Sequence, residues 1–242
     1  MREEQRRQTI REKLARIAPA ARQEAIPTGL RSLDEATGGL PRGRVVEWFG
    51  PPSSGKTTLA LQTVAALQAR GGTAAWLDAD GTFDAAYAAR LGVALDGLPV
   101  AQPGSAEQAF EIARQLALSH AVDLLVVDSA AALTPEIELR TELGASGPGA
   151  QGRALASGLR RLAGALRSSG TAALFLNQTR ASEQAETSAG GPALKLFAAA
   201  RVSLRGIGGR RIRFRVLKNN AGEAFREGDL LWRDGAGFVE SP

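Results

Sequence analysis

Two hydrophobic periods alternate along this chain. Residues 45–49 carry Val45, Val46, Trp48 and Phe49 in a β-rich apolar run, and Leu59, Leu61, Val64 and Leu67 follow at near-helical spacing. This reads as strand, loop, helix. The same reasoning predicts a buried strand over 73–77, a short helix over 84–91 and a weak strand over 98–101. A helix over 105–118 and a strongly apolar strand over 122–127 come next. Residues 151–167 read as a helix whose exposed side includes Arg153, Arg160, Arg161 and Arg167, and 171–176 as another buried strand. Strands alternating with helices predict an α/β fold. The period then changes: after a Gly208-Gly209 turn, Arg211, Arg213 and Arg215 alternate with Ile212, Phe214 and Val216. That pattern predicts a hairpin with one apolar and one cationic face, closed by short strands at 230–232 and 238–239. At the other end, Ile10, Leu14 and Ile17 lie on one side of a charged segment over 1–18, which predicts an amphipathic helix stopping at Pro19. Its stripe suits the chain's own core, a neighbouring subunit or another protein. The chain divides into this helix and linker, 1–25, and one core domain, 26–242.

Composition narrows the setting. The 242 residues suffice for one large α/β domain, and zero cysteines exclude disulfides and thiolate metal sites. No apolar run approaches the roughly 20 residues of a membrane span, and the charged N-terminus lacks the apolar core of a secretion signal. A soluble, cytoplasmic protein is expected. The net charge of +5 is unevenly placed: residues 1–16 hold six basic and three acidic groups, and 201–218 hold seven basic groups and no acid. The asymmetry favours a polyanionic partner at particular surfaces; a solvated Arg-rich face is the bland alternative.

The candidate chemistry begins where the first strand ends. Gly50-Pro51-Pro52-Ser53-Ser54-Gly55-Lys56-Thr57, followed by Thr58, has the G-x-x-x-x-G-K-[ST] spacing of a phosphate cradle. Its glycines let backbone N–H groups turn towards a polyphosphate, and the helix adds its positive N-terminal end. Lys56 can reach the outer phosphates, and the Thr57 hydroxyl can ligate Mg²⁺. Asp128, closing the apolar strand at 122–127, is positioned to hold the same Mg²⁺ directly or through water. Asp78 and Asp80 end the strand at 73–77, where α/β sheets bind ligands, and are alternative metal ligands. Residues 134–152 and 181–192 are long polar, glycine-bearing connections of the kind that carry function. His120, the only histidine, reads as solvated.

The order of motifs resembles the ATPase core of the RecA recombinase family. IPTGLRSLD, GGLPRGRVVEWFGPPSSGKTTLALQ, LDADGTFDAAYAARLGV, AVDLLVVDSAAALTP, LRRLAGALRSSG, LFLNQTR, GGPALKLFAAARV and VLKNN carry the likeness over residues 26 to 226. The resemblance implies a RecA-type fold with a central, mostly parallel sheet flanked by helices and a β extension near the C-terminal end. It implies ATP and Mg²⁺ as cofactors, with Asp84 and Tyr87 at the adenine, Tyr87 by stacking. Residues 135–152 and 179–193 match the family's two DNA-binding loops, making Arg153, Arg180, Gly190, Gly191 and Lys195 candidate contacts to single-stranded DNA. Gln178 matches the sensor that couples the γ-phosphate to the second loop, and Lys218 a lysine that reaches a neighbour's nucleotide across a filament.

The sequence also departs from that family. The catalytic glutamate position is Asp80, one methylene shorter; the second trans-acting lysine is Asn220; the phenylalanine near the end of the second loop is Leu196. The second loop is short, no Phe-Gly-Lys-Gly-like docking segment precedes Ile26, and nothing after 226 resembles the family's duplex-DNA domain. Because the losses touch polymerisation and turnover while the nucleotide pocket is kept, the pattern resembles the ImuA-type accessory proteins of damage-induced translesion mutagenesis. That reading expects a nucleotide-gated accessory whose partner is a RecA protomer or a translesion-polymerase accessory protein, nucleoid-associated when on DNA. The alternatives are a DNA-dependent ATPase recombinase forming filaments, and a binding module with a vestigial ATP site.

Overall fold

The computed structural model describes residues 4–9, 24–142, 147, 149–180 and 187–241. Residues 4–9 are helical, and the stripe at Ile10, Leu14 and Ile17 lies outside the described residues. A bridge between Ile26 and Leu40 brackets helix α1 (Arg31–Thr37). Then follow strand β1 (Val45–Gly50), helix α2 (Lys56–Gln68), strand β2 (Ala74–Asp78), helix α3 (Ala85–Arg90) and strand β3 (Val100–Ala101). Helix α4 (Ala106–Leu118) leads to strand β4 (Leu124–Asp128), short helix α5 (Glu136–Arg140) and long helix α6 (Ala150–Ser169). Strands β5 (Ala172–Arg180) and β6 (Thr187–Ser188), helix α7 (Ala193–Phe197), and strands β7 (Ala198–Gly208), β8 (Arg211–Asn219), β9 (Glu227–Arg233) and β10 (Gly237–Glu240) complete the order.

The ten strands of the described residues form one sheet in the order β10-β9-β8-β7-β1-β5-β4-β2-β3, with β6 beside β5. From β7 to β3 the pairing is parallel, and from β7 to β10 antiparallel, so the expected parallel core with a β extension is the observed architecture. Strand alternation sorts the core into two layers. Val46, Trp48, Trp76, Val126 and Leu174 face the side covered by α1, α2 and α3, and Ala75, Leu77, Leu125, Val127 and Phe175 face α4, α6 and α7. Burial on both faces explains why these strands read as continuous apolar runs.

One strand breaks the apolar rule. Glu47, in the middle of β1, is fully buried and pairs with the Arg201 guanidinium, which lies 4.6 Å over the Phe49 ring. Asn177 donates to Glu47 Oε1 at 2.9 Å and to the Ala189 carbonyl at 3.0 Å, and Arg201 also donates to Ser188 Oγ at 3.3 Å. An unpartnered buried charge would be costly, and this set satisfies both ions.

Three sequence expectations shift. Strand β5 continues through Arg180, because Thr179 and Arg180 pair with Ser188 and Thr187; the segment from Asn177 to Arg180 extends the strand and does not follow it. The connection at 134–152 contains α5, which starts after Pro135 and is braced by an Arg140–Glu136 ion pair one turn apart. The hairpin turn is Gly209-Arg210, one residue later than expected, with φ near +58° at both. Positive φ at both central positions matches the twist of the flanking strands, so β7 runs on to Gly208.

Candidate nucleotide-binding site

The loop from Pro51 to Gly55 joins the C-terminal end of β1 to α2. Gly55 holds φ +84°, and a Cβ there would sit 2.5 Å from the Phe238 ring. A Cβ on Gly50 would meet the Leu204 carbonyl at 2.1 Å, so close contact requires glycine at both positions and backbone conformation requires it at Gly55 as well. Lys56 folds over the loop, its Nζ donating to the carbonyls of Gly50 (3.1 Å) and Pro51 (2.8 Å) and to Ser54 Oγ (3.2 Å). Burial lowers its pKa, opposed by the charges of Asp128 and Asp80.

Thr57 Oγ1 donates to Asp128 Oδ2 at 2.8 Å, bringing together the two residues expected at the metal. Burial pushes the Asp128 carboxyl up to about 6; the Thr57 bond and Lys56 pull it down, and Asp80 and Asp78 add to the rise. A threonine hydroxyl beside a carboxylate is an all-oxygen donor pair, the chemistry a hard divalent cation takes. Asp80 stands nearby with Oδ1 accepting from Ser129 N (3.1 Å) and Ser129 Oγ (3.0 Å). Asp78 instead fixes the turn after β2, its oxygens accepting from Thr82 N, Phe83 N and Gln102 Nε2. Those bonds replace the metal-ligand alternative for Asp78 with a structural role. Among the described residues, no group of three His, Cys, Asp or Glu is placed to hold a metal ion.

A cavity of about 540 Å³ opens over the loop. Ser53, Gly55, Lys56, Thr57, Thr58 and Tyr87 form one wall; Arg210, Arg211, Ile212, Trp232 and Phe238 form the other. Tyr87 OH and Thr58 Oγ1 are 2.7 Å apart, and the Tyr87 ring lies at 25° to Trp232, centroids 6.4 Å apart. The space, the turned-in lysine and the loop that tolerates no side chain at Gly50 or Gly55 fit a polyphosphate with an aromatic-bound base.

The family model of the RecA N-terminal domain matches residues 9–237. The chain belongs to the RecA family. It is 46% identical over 230 residues to Protein RecA of Chloroflexus aurantiacus, covering 88% of this chain and 66% of that protein. Protein RecA of Bifidobacterium breve is 46% identical over 235 residues, covering 90% of this chain and 60% of the relative. Protein RecA of Xylella fastidiosa is 44% identical over 232 residues, at 88% and 67%. The chain thus spans at most about two thirds of the length of these curated relatives.

Other residues singled out by the RecA resemblance are spread around this cavity and beyond it. Pro51, Pro52 and Ser54 complete the loop, Ser54 buried and donating its N–H to the Pro51 carbonyl at 3.3 Å. Asp84 caps α3, Oδ1 accepting from Tyr87 N at 2.8 Å, and does not line the cavity. Gln178 is exposed and pairs in register with Gly50, one strand from the glycine loop. Lys218 does not line the cavity, its Nζ donating to the carbonyls of Lys195 and Leu196 at 3.2 Å; burial and Arg201 lower its pKa. Leu196 is 70% exposed beside it. Of the DNA-loop residues, Arg153 is exposed at the start of α6, and a Cβ built on neighbouring Gly152 would lie 3.3 Å from the Gly190 carbonyl. The two loops therefore meet at Gly152 and Gly190. Gly191 continues that turn at φ +76°, and Lys195 is exposed on α7. Arg180 ends β5, its side chain outside the described residues. His120 is exposed in the turn after α4. Sequence reasoning missed Arg210, Arg211, Trp232 and Phe238, which no local motif marks.

Proposed function

We propose that this chain is a RecA-type DNA-repair and recombination protein that binds ATP with Mg²⁺ and couples it to single-stranded DNA. The observation that carries the reading is the Thr57–Asp128 pair at 2.8 Å beneath the glycine loop, with Lys56 turned into that loop. On this reading Lys56 exchanges its three bonds within the loop for phosphate oxygens, and Thr57 and Asp128 hold the cation. The cation, when bound, neutralises charge on the β- and γ-phosphates. Tyr87 and Trp232 seat the base. Asp80, oriented through Oδ1 by Ser129, keeps Oδ2 to accept a proton from water.

The identity to proteins named RecA, spread over nearly the whole chain, supports the recombinase form: a DNA-dependent ATPase that polymerises on single-stranded DNA and promotes strand exchange. Lys218, outside the lining of its own cavity, suits a contact given to a neighbouring protomer. The second reading, a nucleotide-gated accessory in translesion mutagenesis, is favoured by one specific observation: Asp80 is shorter than the family's glutamate, and a misplacement of about 1 Å can cost on the order of a hundredfold in rate. Asn220, where the family has a second lysine, points the same way. ATP turnover with and without single-stranded DNA, beside direct ATP binding and a Lys56→Ala control, separates the two. Strong stimulation by DNA supports the recombinase; binding without turnover supports the accessory.

A further inference from the structure

The far wall of the cavity is built by a turn the nucleotide motifs do not include. Gly209 and Arg210 make a two-residue turn, and Trp232 N donates to the Arg210 carbonyl at 2.7 Å, which fixes the turn beside the Trp232 ring. The Arg210 guanidinium is held by both oxygens of Asp234 at 2.8 and 2.9 Å. Arg211, next along β8, also lines the cavity, and among the described residues no carboxylate bonds it. Asp229, the acid whose charge Arg211 acts on, gives its two oxygens to Arg213 at 2.7 and 3.0 Å. The cavity lining therefore carries Lys56, Arg210 and Arg211 and, among the described residues, no acid.

A cavity bounded on one side by a phosphate loop and on the other by a guanidinium that no carboxylate bonds is matched to a ligand whose negative charge lies between them. We propose that Arg211 is a nucleotide-binding residue acting in cis, contacting the phosphate chain of a nucleoside di- or triphosphate from the β7–β8 turn, with Arg210 buttressed by Asp234 at the rim. The proposal rests on the ATP-binding reading and deepens it. It gives the nucleotide a second cation from the same chain, where Asn220 leaves a neighbouring protomer with one fewer to offer. Guanidinium–phosphate bonds are charge-assisted and bidentate, so the contact discriminates by charge and not by base.

Calorimetric titration with a non-hydrolysable ATP analogue plus Mg²⁺, and separately with adenosine, tests it at protein concentrations where the chain is monomeric. Arg211→Gln is expected to weaken the analogue about tenfold or more and leave adenosine unchanged, with Arg211→Lys, which keeps the charge but not the bidentate fork, recovering part of the loss. Arg213→Gln, on the same strand but tied to Asp229, is expected to bind both ligands as the wild type does. Analogue affinity within about twofold of wild type in Arg211→Gln, while Lys56→Ala loses it, would overturn the contact and leave the ATP reading standing. Equal losses for adenosine and analogue would also overturn it, since a displaced β7–β8 turn explains them. No binding of the analogue by the wild type would overturn the ATP reading and this contact with it.

Discussion

At the scale of single residues, Asp128 concentrates the site's electrostatics. An ordinary aspartate titrates near 3.8, whereas burial lifts this one to about 6. Between those values the folded state holds a proton that the unfolded chain has released, so stability falls as pH rises from about 4 to about 6 and is flat above. The loss attributable to this group is about 3 kcal/mol. Thermal unfolding of the metal-free protein is expected to give a higher midpoint at pH 5 than at pH 7.5, and Asp128→Asn to shrink that difference; an unchanged difference would assign it to other groups. On the proposed reading Mg²⁺ would compete with the proton for the carboxylate, so its affinity is expected to drop below about pH 6. Lys56, Thr57 and Asp128 were legible in the sequence because a loop motif and a strand-end acid each mark themselves locally. Arg210, Arg211 and Trp232 were not, because only the sheet's return path carries them to Tyr87 and the loop.

At the scale of elements, the apolar runs named most strands correctly, since burial on both faces leaves little room for polar residues. Where the pattern was too short to speak, pairing decided: β6 is only Thr187-Ser188, and its partner β5 is longer than its own apolar stretch suggests. The β1–loop–α2 unit is tied to β10 by contact. Gly55→Ala must place a methyl against Phe238 and hold alanine at φ +84°. Left-handed backbone costs about 1–2 kcal/mol and overpacking about 1–3 kcal/mol, so denaturant unfolding is expected to show a loss of about 2–5 kcal/mol. A loss below about 0.5 kcal/mol would mean that the loop relaxes freely.

At the scale of the whole molecule, the charge asymmetry of the sequence survives only in part. Of the basic groups between 201 and 218, Arg201, Arg210 and Arg213 are paired with Glu47, Asp234 and Asp229, so the hairpin's cationic face is partly neutralised by its neighbours. Sequence counting could not see this, because the acids come from β1, β9 and the turn after β9. On the proposed reading, the meeting of the two loop regions at Gly152 and Gly190, beside Arg153, is where a single strand of DNA would lie. Its affinity is expected to fall with salt at a log–log slope of about −2 to −4, as for a few phosphate contacts; a slope near zero would remove the electrostatic argument. No helix among the described residues is long and apolar enough to cross a membrane.

The last strand, β10, is fastened to the first part of the core. Gln62 on α2 receives the Phe238 N–H at 2.9 Å and donates to the carbonyls of Ala236 and Phe238, while Ser32 N–H reaches Glu240. Since 176 residues separate Gln62 from Phe238, the glycine loop leaves the ribosome long before the wall that faces it. At synthesis rates of about 5–20 residues per second, the wait is about ten to thirty-five seconds. A growing chain thus carries its whole phosphate motif yet has no finished cavity, and on the proposed reading full nucleotide capture is expected only of copies translated past Phe238.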